Sequence, residues 1–301
     1  MLMTFIKSSR RSSALRRRNC AWTILVTALI CSCAALDDDG EAASRSSGPI
    51  VDGHTCPSWI RESIVGVGLD SGQLPLQAQS YCSGTVIAPK VVLTAQHCVA
   101  RLSVAPTAQD ACNAYGNPDN GVRYGPASVQ TVHIFNDMSS APIARASAAV
   151  VPSQKTLCNN DLALLVLDRP LPSKVAAPIR ALTGAKNATA TRVTPKRDTT
   201  VIVAGFGLLD DGVENDRGCL HKLVQVLADG SQHVPYLGTH EFVTDYGTCN
   251  GDSGGPVFDR SGQLVGVTSR GVSGCRDVGV FPDLAFHKET IRSALALAAS
   301  D

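Results

Sequence analysis

Aromatic residues are scarce in this chain, 5% of 301 residues, while glycine (26) and proline (16) are plentiful. That mix suits a turn-rich β fold. An excess of charge of either sign is missing as well, with a formal net charge of +1. Residues 1–49 hold seven Lys/Arg and four Asp/Glu, which leaves 20 basic and 22 acidic residues in the remainder. Such a balance gives no electrostatic footing for a nucleic-acid partner. No tight Cys-x-x-Cys pair exists, which argues against a structural zinc. No acidic loop has the ligand density of a calcium site, and no internal repeat is visible. The apolar stretch Ala21–Ile30 is ten residues long, short of the roughly 20 that cross a membrane.

That stretch follows Lys7, Arg10, Arg11, Arg16, Arg17 and Arg18, the layout of a signal peptide. Residues 1–33 read as this leader and residues 34–49, acidic and then rich in Ser, Ala and Gly, as a propeptide or tether. Ile30-Cys31-Ser32-Cys33 resembles a bacterial lipobox, which would lipidate Cys33 and attach the chain to an envelope membrane. The alternative is ordinary cleavage near Ala34 or Ala35. Either route exports the protein: secreted, periplasmic or lipid-anchored. Three of the eleven cysteines lie in the leader and eight follow, an even number that fits disulfides in an oxidising compartment.

Short apolar runs recur between turns. Leu74–Gln79, Cys82–Ile87, Val91–Thr94, Val129–Phe135 and Leu162–Leu167 can form one antiparallel barrel. Val201–Ala204, Leu223–Leu227, Phe242–Thr244, Pro256–Phe258, Leu264–Thr268 and Gly279–Phe281 can form a second. Lys288–Ala299 is an amphipathic helix candidate.

Three segments carry chemistry. In Gly251-Asp252-Ser253-Gly254-Gly255-Pro256 a serine sits among glycines behind an aspartate. A serine hydroxyl attacks only when a base takes its proton and donors receive the oxyanion; the small neighbours let the Gly251 and Ser253 N–H groups face one open space. In Val91-Val92-Leu93-Thr94-Ala95-Gln96-His97-Cys98 a strand-like run leads into a histidine, the side chain that takes and returns a proton near neutral pH. In Asn159-Asn160-Asp161-Leu162-Ala163-Leu164-Leu165-Val166-Leu167 an aspartate opens a run of core residues. The plain alternatives are a surface turn, a satisfied histidine and a strand-start carboxylate.

Together, in the order His97, Asp161, Ser253, these segments resemble the chymotrypsin-like (trypsin-like) serine endopeptidases from about Ile50 onward. The resemblance implies an all-β fold of two six-stranded antiparallel β-barrels packed together with a C-terminal α-helix. The first barrel spans about 50–170, the second about 195–284 and the helix about 287–299. It implies a triad of Ser253 as nucleophile, His97 as base and Asp161 as its orienting carboxylate. Gly251 and Ser253 would supply the oxyanion hole. No metal or cofactor is required, the substrate is a protein or peptide, and the enzyme is a monomer.

The family pattern also implies disulfides Cys82–Cys98, Cys249–Cys275 and Cys56–Cys219, which leaves Cys112 for Cys158. It implies a zymogen switch in which a new α-ammonium at Ile50, in Ile50-Val51-Asp52-Gly53, pairs with Asp252. An activating protease is then needed. Pro49 precedes Ile50 where the family carries Arg or Lys, so either an unusual protease cuts there or trimming follows a cut at Arg45.

The floor of the primary pocket falls on Gly247, followed by Thr248 and Asn250, with walls at Gly271 and Gly279. The pocket is then open and uncharged, suited to apolar residues and not to Arg or Lys. Asp277 reads as a loop acid. Ser269 matches the serine that bonds the triad aspartate, and Gly271 the backbone that pairs with extended substrate. Arg270 stands where the family has Trp and implies more basic neighbouring subsites. Gln96, where Ala is common, would crowd the His97 turn. The 64-residue gap between His97 and Asp161 is long; loops near Asp110–Gly125 and Met138–Ser147 are expected to absorb the excess beside the cleft. The Asn187 sequon is incidental behind such a leader. An inactive protease-like binding module and a non-catalytic lipoprotein are the competing readings; such modules usually lack a triad member, and the lipoprotein reading explains the leader but not the three motifs.

Overall fold

The computed structural model describes residues 50–69, 80–102, 112, 124–127, 129, 132–136, 141–154, 156–173, 194–209, 215, 218–228, 234, 237–271 and 274–300, all inside the unit Ser44–Asp301. The expected leader with Cys33, the segment 34–49, the strand expected at Leu74–Gln79, the sequon at Asn187 and most of 110–125 lie outside the described residues.

The first half contributes β1 (His54–Thr55), β2 (Ile64–Leu69), β3 (Ser80–Ala88), β4 (Val91–Thr94), β5 (Ala100–Leu102), β6 (Tyr124–Ala127), β7 (Val132–Phe135), β8 (Pro142–Val150) and β9 (Ala163–Leu167). Strands β2, β3, β4, β9, β8 and β7 close an antiparallel barrel in that order, with Val67 of β2 opposite Ile134 of β7. The second half adds β10 (Thr200–Gly205), β11 (Leu220–Gln225), β12 (Glu241–Tyr246), β13 (Pro256–Phe258), β14 (Leu264–Val267), β15 (Arg270–Gly271) and β16 (Val278–Pro282). These form a five-stranded sheet, β1-β11-β10-β13-β14, and a three-stranded sheet, β12-β16-β15. Single bridges, Val226 to Thr244 and Gly266 to Asp283, join the two sheets. With these bridges β11, β10, β13, β14, β16 and β12 run round a second circuit, with β1 and β15 at its edges, and the fold is mostly β with a C-terminal helix, Lys288–Ser300.

Continuous apolar runs mark the strands buried on both faces. Every residue of β4 and β9 is buried. One face of β9 fills the barrel, and the C-terminal helix covers the barrel's outside, packing on β9, β8 and β4 with Ile291 and Ala294 turned inward. Each such leucine or isoleucine contributes about 1.5–3 kcal/mol relative to exposure.

Two expectations need correction. Of the expected loop Met138–Ser147, the part from Pro142 is strand: Pro142–Val150 is β8, a full member of the barrel. Its alternation is carried by alanine, with Ala144 and Ala146 inward and Arg145 and Ser147 outward, so it shows little hydrophobic contrast. The stretch after Ile50 also does not belong to the first barrel alone. Strand β1 pairs with β11, and Ile50 is packed with Val201, Val203 and Phe281 of the second half. Cys56–Cys219 ties this crossing segment down across 163 residues, a closure worth roughly 5 kcal/mol of unfolded-state entropy.

Candidate active site

The His97 turn grows out of the rigid end of β4. After Thr94 the chain makes a short 3-10 turn, Gln96–Cys98, and the disulfide Cys82–Cys98 fastens it to β3 with the Cα atoms 6.2 Å apart. Gln96 is buried beneath this turn. Asp161 follows the tight turn Leu157–Asn160, in which Asn159 holds a φ of 67°, and its carboxylate is fully buried. One oxygen accepts the His97 Nδ1–H at 2.8 Å and the Ser269 hydroxyl at 2.5 Å. The other accepts the His97 backbone N–H at 3.0 Å. A carboxylate cannot donate, so this contact places the imidazole proton on Nδ1 and leaves Nε2 as an acceptor. Burial alone would lower the His97 pKa. The charge and hydrogen bond of Asp161 outweigh it and hold the imidazole above its usual value, with Arg270 pulling downward.

The Gly251–Gly255 loop is braced from the first barrel by Ser83, a residue that sequence reasoning passed over. The Ser83 N–H donates to the Ser253 carbonyl at 2.8 Å and its hydroxyl to the Gly251 carbonyl at 2.9 Å. The same hydroxyl accepts the Phe206 N–H at 3.0 Å. The Cys98 sulfur also lies 3.8 Å from the Ser253 carbonyl oxygen, so the serine sits beside the His97 turn. Among the described residues, Ser253 Oγ makes no hydrogen bond to the His97 ring, and the Gly251 and Ser253 N–H groups have no acceptor. Catalytic contacts in unliganded sites are commonly long and tighten around substrate.

The glycines of this loop are sterically required. Gly251 has φ 97°, and a Cβ there would lie 2.8 Å from the Gly207 Cα; Gly254 has φ 81°, and its Cβ would meet Thr94 Oγ1 at 2.1 Å and the Ser83 carbonyl at 2.3 Å. Gly254→Ala is therefore expected to cost about 3 kcal/mol and lower Tm by roughly 10 °C. Calorimetry reads this directly, and an unchanged Tm would contradict the packing.

Asp252 is fully buried. It accepts the Gly207 and Cys249 N–H groups, each at 2.8 Å, and the Ile50 backbone N–H. Gly205 and Gly207 form its slot, since Cβ atoms there would fall 2.0 and 2.6 Å from the Asp252 carboxylate. Their Gly-Phe-Gly spacing was the available sequence signal. Ile50 is buried at φ 55°. Burial pushes the Asp252 carboxyl up to about 7 against those bonds.

Around the expected pocket, a Gly247 Cβ would strike Val224 at 2.7 Å and pass 3.5 Å from the Lys222 side chain. A Gly279 Cβ would strike the Phe281 ring at 2.7 Å and lie 3.3 Å from Thr248 Oγ1. These contacts put the 247–248 segment beside β11 on one side and Gly279 on the other. Gly271 is looser, its nearest would-be contact being 3.6 Å away. The Asn250 carbonyl accepts the Leu208 N–H, and the Asp277 carboxylate caps the Val278 N–H of its own loop. The other disulfides, Cys112–Cys158 and Cys249–Cys275, are closed with Cα separations of 4.9 and 4.5 Å.

Arg270 is not the free cation that the sequence implied. Its guanidinium forms a fork with Glu241, Nη1 to Oε1 and Nη2 to Oε2, both at 2.8 Å. The expected basic subsite loses its charge to this pair.

Fold and site together define a class: a two-barrel β protein holding a histidine–carboxylate pair beside a glycine-framed serine. The family model described as Trypsin matches residues 50–289, and the chain belongs to the trypsin family of serine proteases. It is 29% identical to Trypsin iota of Drosophila melanogaster over 73% of this chain and 81% of that relative. It is 31% identical to Serine protease SP24D of Anopheles gambiae over 73% and 75%. Kallikrein-4 of Homo sapiens is 25% identical over 80% and 84%.

Proposed function

We propose that this chain is an exported serine endopeptidase that cleaves peptide bonds through an acyl-enzyme. The observation that carries the reading is the chain of contacts from Ser269 through Asp161 to His97, set beside the Ser253 loop on the same β3 brace. In the proposed reaction Ser253 Oγ attacks the scissile carbonyl carbon as its proton passes to His97 Nε2. Asp161 keeps the ring in the tautomer that can accept. The oxyanion falls between the Gly251 and Ser253 N–H groups. The imidazolium then protonates the leaving amine, the C–N bond breaks, and water repeats the sequence on the ester.

The leader and four disulfides support action outside the cytoplasm. Cys33 is the candidate point of lipid attachment. Activation would free Ile50 to meet Asp252. The pocket reading favours apolar residues at the cleavage site. Gly247 offers no carboxylate, and Lys222 beside it would repel a substrate Arg or Lys. Gly271 is the edge for an extended substrate, with Thr248, Asn250 and Gly279 as pocket lining.

The test is labelling by an organophosphonate probe on chain processed to start at Ile50. The expected result is one label per chain, absent in Ser253→Ala. Folded, processed chain that resists the probe would mean an inactive binding module instead.

A further inference from the structure

We propose that Glu241 and Arg270 are positioning residues, a buried ion pair that clamps the Asp161 turn to the Ser269 strand and so holds the carboxylate behind His97. Glu241 opens β12 with its side chain fully buried, and the Arg270 side chain is only 7% exposed. Besides the two guanidinium bonds, Oε1 accepts the Asn159 N–H and Oε2 the Gly238 N–H, each at 2.9 Å. Asn159 answers by accepting the His240 N–H at 2.8 Å. Asn159 is two residues before Asp161 and stands in the left-handed region, a conformation that persists only when its surroundings hold it. On the other side, Arg270 Nη1 reaches 3.4 Å to Ser269 Oγ, the hydroxyl that donates to Asp161. One carboxylate therefore anchors both the turn that carries Asp161 and the strand that supplies its Ser269 partner.

A buried ion pair is weak as a source of net stability because both charges must be desolvated. A fork with every lone pair engaged is strong as a source of geometry. Burial would raise the Glu241 pKa, but the Arg270 charge and the N–H bonds hold it below its ordinary value. The ionisable neighbours are Asp161 and Arg270 around His97. Around Glu241 they are Arg270 and His287, with His240 near His287. Glu241 thus offsets a cation that His97 would otherwise feel in full.

This inference rests on reading His97 as the catalytic base, but its test does not require turnover. The His97 ring is titrated by NMR in the purified chain, in Glu241→Gln and in Arg270→Met. Glu241→Gln leaves the cation uncompensated and is expected to lower the His97 pKa; Arg270→Met removes the cation and is expected to raise it, each by at least roughly half a pH unit. In active enzyme, kcat on a peptide substrate is expected to fall about ten- to hundredfold, with KM within about threefold. If Glu241→Gln does not fold, Arg270→Lys serves. It keeps the charge and loses the fork, so a displaced Asp161 is expected to lower the His97 pKa and kcat together. A His97 titration unmoved in both charge variants, or a loss confined to KM, would overturn the proposal. The latter would make the pair a subsite wall. An unaltered chain that neither turns over nor takes the phosphonate would refute the enzyme reading, while the NMR titration still judges the clamp.

Discussion

Ser253→Ala is expected to lower kcat by on the order of a millionfold, and His97→Ala by a similar factor. The double variant is expected to be no worse than either single one, because in the proposed reaction the two side chains act on one proton. A serine without its base is a poor nucleophile, and a base without the serine has no acyl acceptor to serve. Asp161→Asn tests the third member. The Asp161 oxygens accept from His97 Nδ1, the His97 N–H and Ser269. An amide NH2 directed at Nδ1 would favour the opposite tautomer and put the proton on Nε2, where the serine needs an acceptor. A loss of about 10⁴ in kcat at neutral pH is expected, with the fold kept. Pre-steady-state kinetics on a chromogenic ester, alongside calorimetry, would separate lost chemistry from lost folding. Near-normal turnover in any of these variants would remove the residue from its assigned role.

The parts of this molecule that read clearly from sequence are those whose physics is local. Leu162–Leu167 announces a doubly buried strand because six neighbours all prefer the core, and β9 is buried along its whole length. The glycine-rich serine loop is legible because its backbone needs residues without side chains at Gly251 and Gly254. Strand β8 is not legible, since alanine carries its inward face and small side chains leave little alternation. Strand β2 escaped the same way, its apolar residues interrupted by Gly66 and Gly68. The supports of the site are harder still. Ser83 of β3 meets the Gly251 loop across 168 residues, and Glu241 meets Arg270 across 29 residues. Nothing near either residue in the chain signals its partner; only tertiary packing does. Arg270 shows the cost, since read alone it was a basic subsite, and its charge is spent on Glu241.

Cleavage before Ile50 is expected to invert the pH dependence of stability. In the uncleaved chain Asp252 faces, among the described residues, neutral N–H donors, and burial raises its carboxyl from 3.8 to about 7. A folded pKa above the unfolded one favours folding below the unfolded value, so this contribution is complete under about pH 4 and is lost as pH rises through about 7. That interval corresponds to about 4 kcal/mol for a group with no solvent access. Scission turns the Ile50 N–H into an ammonium beside the same carboxylate. The ammonium is expected to lower the Asp252 pKa, and where it falls below the unfolded value the contribution becomes one present at higher pH and lost as pH falls. Calorimetric Tm values from pH 4 to 8 are expected to show the cleaved form ahead at pH 8 and the two forms converging near pH 4. Asp252→Asn is expected to flatten the uncleaved curve and to raise its Tm at pH 8. After cleavage the same variant leaves the ammonium without a counterion, and activity is expected to fall by at least about a hundredfold. Parallel curves for cleaved and uncleaved protein would mean that Asp252 is a turn carboxylate and that Ile50 does not switch the enzyme on.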